Sequence, residues 1–225
     1  TEGTVIHTIQ NVSLSYVWEG IEGYTLEQDV TYDEDLILYG GTLDLNGHTL
    51  TVNGDFYGEF GTVHINGGKL IVNGDMNFAY RDWQTGEAVL ERSMAELIMD
   101  KEEDYVEVAG DFYANLNARS LDDMTKGIFV LAGNVNIDGT VTSSRYNTVK
   151  ETIWNGTSLH LNGTEPQTIS GVSETIYIKP GDLIVENTSG LDVQLPVQVS
   201  GALQLPEELE YSFYSMQLDN LGSLT

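Results

Sequence analysis

Leu43-Asp44-Leu45-Asn46-Gly47-His48-Thr49-Leu50-Thr51-Val52-Asn53-Gly54-Asp55-Phe56 is followed 20 residues later by Val63-His64-Ile65-Asn66-Gly67-Gly68-Lys69-Leu70-Ile71-Val72-Asn73-Gly74-Asp75-Met76. Apolar, Asn, Gly and Asp positions keep register between the two copies. Fragments recur as Val106-Glu107-Val108-Ala109-Gly110-Asp111-Phe112, Val130-Leu131-Ala132-Gly133-Asn134-Val135 and Leu159-His160-Leu161-Asn162-Gly163. Self-similarity at a fixed period marks a repeat architecture, in which a unit buries its apolar face only against its neighbours. Leu43 and Leu45, then Leu50 and Val52, alternate with polar residues, so each short strand presents its apolar side chains one way. Asn-Gly interrupts the alternation, and both residues tolerate the positive φ of a sharp corner. An isolated Asn-Gly would make a hairpin. Each repeat unit instead holds two such corners and a third segment, at 55–61 in the first copy. That predicts three short strands and three corners per coil of a β-solenoid.

Parallel strands of successive coils lie about 4.8 Å apart. That stacking sets Leu45 over Ile65 and Val52 over Val72 in the core. It also sets the corner residues Asn46 over Asn66 and Asn53 over Asn73, where side-chain amides can hydrogen-bond along the axis. A uniform coil of about 20 residues predicts about 10–11 coils and a rod about 50 Å long. The competing architecture is a β-sandwich of hairpins.

Two stretches break the pattern. Residues 79–96 carry Arg81, Asp82, Trp83, Glu87, Glu91 and Arg92, with Val89, Leu90, Met94 and Leu97 near helical spacing. A short helix or a lateral loop leaving the coil would fit. Asn115–Lys126 is polar and lacks alternation, which predicts a second excursion. A similarity of longer period relates Gly23–Leu38 to Gly190–Leu205 without gaps. It predicts a single solenoid over 1–225, with one large module at 23–189 and the start of a second copy, or a cap, at 190–225. Solenoid ends need polar caps. No cap sequence is evident at the C-terminus, so this end is expected to meet another module, another copy of the chain, or an element folded from Tyr211–Leu221.

The chain has 225 residues, 9 Lys plus Arg, 35 Asp plus Glu, no Cys and a formal net charge of −26. An apolar share of 40% supports a packed core rather than a disordered acidic tail. The charge argues against nucleic-acid backbones and anionic membranes as partners. Without Cys there are no disulfides, thiol nucleophiles or Cys-ligated zinc. No run of about 18 apolar residues offers a membrane span, and residues 1–20 lack a signal-peptide pattern.

The abundant carboxylates are weak evidence for catalysis. Glycoside hydrolysis needs two carboxyls set across one bond, but Asp55, Asp75 and Asp111 recur after a corner Gly, which suggests an architectural role. The clusters Asp33-Glu34-Asp35, Glu102-Glu103-Asp104 and Asp122-Asp123 are hard oxygen sets that suit calcium. None matches an EF-hand or the Gly-Gly-x-Gly-x-Asp repeat, and a solvated acidic surface explains them as well. Asp44, His64 and His160 share an outward position between inward apolar residues, with Asp44 and His64 expected as a cross-strand pair on adjacent coils. Trp18, Trp83, Trp154 and Tyr211-Ser212-Phe213-Tyr214 could stack on sugar rings. Trp83, beside Arg81 and Asp82 in the irregular stretch, is the leading candidate for a ligand contact; pinning the excursion onto the rod is the alternative role.

The run at 40–55, the order Ile98-Met99-Asp100 to Phe112, and Leu159-His160-Leu161-Asn162-Gly163-Thr164-Glu165-Pro166-Gln167-Thr168-Ile169-Ser170 resemble repeats in large secreted or surface-attached proteins of anaerobic Gram-positive bacteria. The resemblance covers about residues 23–205. It implies an adhesin-like, right-handed parallel β-helix whose tandem modules stand off the cell surface, and it supplies no catalytic residues. In a bacterial chain the Asn-x-Ser/Thr sequons at Asn11, Asn155, Asn162 and Asn187 carry no weight. The resulting expectation is an all-β solenoid that acts as a non-catalytic, extracellular scaffold or adhesive module. Its expected partners are neighbouring modules or copies of itself, with host or cell-wall glycan as a further candidate. The alternative is a carbohydrate-binding or carbohydrate-cleaving β-helix acting through 79–96.

Overall fold

The computed structural model describes residues 23–38, 40–58, 61–78, 80–81, 88–89, 95–115, 123–138, 151–171, 176–208, 210–218 and 223–224. Among them every regular element is a strand, and the strands stack as a three-faced β-solenoid. One coil shows the plan. Thr42–Asp44 lies on the first face, Thr49–Val52 on the second and Phe56–Gly58 on the third. The next coil repeats it with Thr62–His64, Lys69–Val72 and Met76–Phe78. Every pairing between these coils is parallel and in register, with Leu43 over Val63, Leu50 over Leu70 and Val52 over Val72. Antiparallel hairpins at the Asn-Gly corners, which a sandwich would need, do not form.

The second face is a nine-stranded sheet, and its inner rows run the length of the solenoid. Leu50, Leu70, Val106, Phe129, Leu159, Leu183 and Leu203 form one row, paired coil to coil. All are buried. The coil length is less uniform than the 20-residue copy suggests. The copy's period holds from Val30 to Leu50, from Leu50 to Leu70 and again from Leu183 to Leu203. The coil is much longer from Leu70 to Val106 and from Phe129 to Leu159. Fewer coils therefore form than a uniform repeat would give, because some residues leave the coil and return without disturbing its register.

The longest insertion contains Tyr80–Arg81 paired antiparallel with Ala88–Val89, a ribbon separate from the three solenoid faces. Of the four apolar residues with helical spacing over 87–97, Leu90 and Met94 lie outside the described residues. Val89 belongs to the ribbon, whereas Leu97 is a buried residue of the strand Glu96–Ile98, over Val63. The second expected excursion, Asn115–Lys126, is likewise shorter than its polar composition implies. Asn115 ends the strand Phe112–Asn115, and Met124 is fully buried and bridged to Met99 on the first face.

Aromatic rings fill the core along the axis. Phe56 and Phe78 have centroids 6.1 Å apart, Phe78 and Phe112 6.3 Å, and Phe112 and Phe129 5.2 Å. Trp154 closes the series 5.7 Å from Phe112 and 5.5 Å from Phe129. It is fully buried with φ of 52°, so it is a core residue and not a sugar platform. Burying each such ring contributes about 1.5–3 kcal/mol, enough to hold this tryptophan in the left-handed region that bulky residues avoid.

The two Asn-Gly corners work differently. At the first, Asn46 (φ 49°) and Gly47 (φ 80°) both turn left-handed, as do Asn66 and Gly67. At the second, Asn53-Gly54 and Asn73-Gly74 keep ordinary φ. There glycine is needed for space, since a Cβ on Gly74 would stand 2.7 Å from the Gly54 carbonyl oxygen one coil below. The side chains also split. Asn73 donates to Asn53 Oδ1 (2.8 Å) and Asn53 to Asp33 Oδ1 (2.9 Å), the expected ladder. Asn66 does not bond to Asn46: it donates to Asp44 Oδ1 (2.8 Å), and Asn46 donates to the Leu26 carbonyl (3.2 Å). A left-handed backbone at the first corner turns the amides away from each other.

The two segments of the long-period similarity occupy different faces. Tyr24–Thr25 lies on the first face and Val30–Tyr32 on the second. Leu191–Val199 starts on the third face against Gln167–Ile169 and crosses to the first, where Val197 pairs with Ile178. Through this long strand the two faces join into one sheet. Tyr211–Leu218 forms a strand laid parallel on Leu191–Val199, with Tyr211, Tyr214 and Leu218 exposed.

The two glycine roles are separable. Gly47→Ala meets no atom within 4 Å, so it should cost about 1 kcal/mol for its left-handed backbone alone. Gly74→Ala must displace backbone of the coil below and should cost more, about 2–4 kcal/mol. Urea unfolding of the two variants checks the order, and equal losses would refute the distinction.

Candidate functional site

The corner carboxylates bind backbone. Asp35 Oδ1 accepts the N–H of Asp55 (2.9 Å), Asp55 Oδ1 that of Asp75 (2.8 Å), and Asp75 Oδ1 that of Asp111 (2.8 Å). Asp111 Oδ1 accepts from Asn134 (2.6 Å), and Asn134 Oδ1 from Thr168 (2.8 Å). Tyr57 and Tyr113 hydroxyls donate to the second oxygens of Asp55 (2.9 Å) and Asp111 (3.1 Å). Burial, then the Asp111 charge and its hydrogen bond, push Tyr113 up to about 12. Asp75 stands between them without such a phenol. Asn77 takes the equivalent place, nine-tenths buried, with its Oδ1 unpartnered. Burial holds the Asp75 carboxyl above the ordinary value; the bond from Asp111 N–H acts against this, and the charges of Asp55 and Asp111 add to it.

The acidic triplets are similarly engaged. Asp33 accepts from Asn53, and Asp35 from the Asp55 amide. Asp104 is buried and accepts from the Gly67 (2.6 Å) and Lys101 (3.0 Å) amides, closing the turn that holds Glu102 and Glu103 outward. Glu102 lies 3.5 Å from Lys126. Asp123 is exposed, and Asp122 lies outside the described residues. Among the described residues no group of three or more His, Asp or Glu is placed to hold a metal ion.

Arg81 sits on the lateral ribbon, while Asp82 and Trp83 lie outside the described residues, as does Trp18. Asp44 and His64 are cross-strand neighbours, but their side chains part: His64 Nε2 lies 3.4 Å from Asp100, and Asp44 serves the Asn46 and Asn66 nitrogens. His160 is on the second face, not the first, between Val130 and Ile184. Its sequence context matches Asp44 because any face can carry an inward–outward–inward triplet.

That second face carries a shallow groove of about 570 Å³ on its outer side. Its lining comes from five successive coils. Glu102 contributes from the first of these, and Gly127 and Ile128 from the next. Ser158 and His160 follow, then Asp182, Ile184 and Glu186, and finally Gln204. Ile128 is 37% exposed. Ser158 Oγ and His160 Nε2 are 3.1 Å apart. Nucleophilic catalysis would need a third group to orient the imidazole. Among the described residues no carboxylate bonds His160. Sequence reading missed this site because its residues are spread over 102–204 and only the coil register brings them together.

No known protein family, curated protein or solved structure matches the chain.

Asp75 gives the fold a defined pH response. Its raised carboxyl means that the folded chain binds this proton more tightly than the unfolded one. Stability should therefore rise as pH falls through the folded value, with the gain complete below the unfolded value near 3.8. Asp75→Asn keeps the acceptor for the Asp111 amide, as Asn134 does naturally one coil above Asp111. It should stabilise the chain at pH 7 by about 0.5–1 kcal/mol in low salt, less in high salt. A lower Tm for a variant with an unchanged circular dichroism spectrum would contradict this. Calcium at millimolar concentration should raise Tm no more than matched magnesium, both acting by screening the −26 charge; a calcium-specific rise would indicate a bound ion.

Proposed function

We propose that this chain is a non-catalytic scaffold and adhesive module of a larger extracellular surface protein. The observation that carries the reading is the constancy of register across coils of unequal length. The short coil from Leu50 to Leu70 and the long ones from Leu70 to Val106 and from Phe129 to Leu159 share one uninterrupted inner ladder. A frame of this kind holds whatever leaves it at set positions along an axis, and variable segments on a rigid support are where binding surfaces are usually built. The high negative charge supports solubility at the density of a surface array. Neighbouring modules or further copies would extend the ladder, and host or cell-wall glycan is the ligand class for the lateral segments.

The test replaces residues 79–94 by a short Gly-Ser linker. A scaffold should keep its fold and nearly all of its Tm, because the coils on either side already pair through Thr62–His64 and Glu96–Ile98. The full chain should bind surface glycans or matrix proteins on an array, and the shortened chain should lose that binding. Turnover of any polysaccharide by the full chain, or unfolding of the shortened one, would overturn the proposal.

A further inference from the structure

We infer that the groove on the outer second face docks a short, extended, basic peptide segment of a partner protein. This goes beyond the scaffold role, since the groove belongs to the coil body and not to the lateral ribbon. Three carboxylates, Glu102, Asp182 and Glu186, line it, and among the described residues no Lys or Arg does. Among the described residues Glu102 has the exposed ion pair with Lys126, the kind of contact worth little in water and readily exchanged. Asp182 uses one oxygen on the Ala202 N–H, 2.6 Å away. Between the carboxylates lies an apolar strip, the exposed Ile128 and the outward Ile184, flanking Ser158 and His160.

The spacing selects the ligand. The coils of Glu102 and Asp182 are three intervals apart, about 14 Å at the parallel-strand spacing. Four residues of extended chain span about the same distance, at roughly 3.4 Å each. Residues i, i+2 and i+4 of an extended segment share one face. A segment with basic residues at i and i+4 and an aliphatic residue at i+2 therefore sets two cations on the two acidic ends and its apolar side chain on the isoleucines. The aliphatic stems of lysine or arginine also suit a half-apolar groove. Among the described lining residues a sugar would find no aromatic ring face, and an anion would meet three like charges.

Fluorescence anisotropy with the full chain and fluorescein-labelled Gly-Lys-Ser-Val-Ser-Lys-Gly tests this. The expected result is saturable one-to-one binding in low salt that weakens as salt is added. Glu102→Gln with Glu186→Gln should raise Kd about fivefold, two exposed charge contacts' worth. Ile184→Lys, which places a cation in the groove from an outward position, should abolish binding. Glu207→Gln with Glu208→Gln removes the same charge outside the groove and should leave Kd unchanged. A peptide with its second lysine moved to i+3 should bind more weakly. No saturable binding by the folded chain would overturn the inference. So would equal weakening by the Glu207/Glu208 variant or equal affinity for the shifted peptide, both signs of diffuse attraction to a −26 chain. Binding of a neutral oligosaccharide in the groove, blocked by Ile184→Lys, without peptide binding would also overturn it.

Discussion

The structure depends on one bond made repeatedly: a corner carboxylate oxygen accepting the backbone N–H one coil above. Strand pairing satisfies the amides within each face, but at a corner the chain changes direction and an amide would be left without a carbonyl. Asp35, Asp55, Asp75 and Asp111 fill that gap in succession. The arrangement stacks like charges about 5 Å apart, which costs about 1 kcal/mol per neighbouring pair in water-like surroundings. A hydrogen bond to a charged acceptor contributes about 1.5–3 kcal/mol. The bond wins by a narrow margin, which accounts for two details. Tyrosine hydroxyls spread the charge of Asp55 and Asp111, and the column turns neutral at Asn134. Part of the chain's large negative charge is therefore a consequence of how it folds.

Much of this fold was legible in the 20-residue copy, since Val52 over Val72 and Asn53 over Asn73 follow from register alone. The lengths of the other coils were not. Backbone pairing constrains only where the chain re-enters the coil, so an insertion can have any composition and mimic other structure. Val89 and Leu97 share a helical spacing although one stands in the ribbon and the other in the strand Glu96–Ile98, where Ala95, Leu97 and Met99 alternate inward. The corner glycines show a second limit. Asn46-Gly47 and Asn53-Gly54 read identically, yet one needs positive φ and the other a missing Cβ. At the second corner the reason resides in the coil below, which local sequence does not contain. The groove was hidden for the same reason. Glu102 and Asp182 come to line one groove only after the chain has wound from Val106 to Phe129, on to Leu159 and on again to Leu183.

The faces of the coil are physically similar, and this explains why sequence likeness does not assign a face. Each takes a short strand with inward apolar residues, followed by a corner. Gly190–Leu205 resembles Gly23–Leu38 but enters the coil one face out of phase. Likewise, Leu159-His160-Leu161 resembles Leu43-Asp44-Leu45 and stands on another face. What fixes a segment's place is the register of the coil beneath it.

That division of labour leaves the outer rows free. On the second face the inner row is Leu50, Leu70, Val106, Phe129, Leu159, Leu183 and Leu203, all apolar. One residue along, the outer row is Thr51, Ile71, Glu107, Val130, His160, Ile184 and Gln204. The same backbone hydrogen bonds support both rows, but only the first must be dry, so the second can change without unfolding the coil. The outer row places one side chain about every 4.8 Å along the axis, a fixed spacing on which any chemistry can be written. A ladder whose stability rests on its inner rows and corners can thus carry a binding face as an independent layer. Function in such a molecule is to be sought where the side chains serve neither core nor corner, and the groove at Ile128, His160 and Glu186 is such a place.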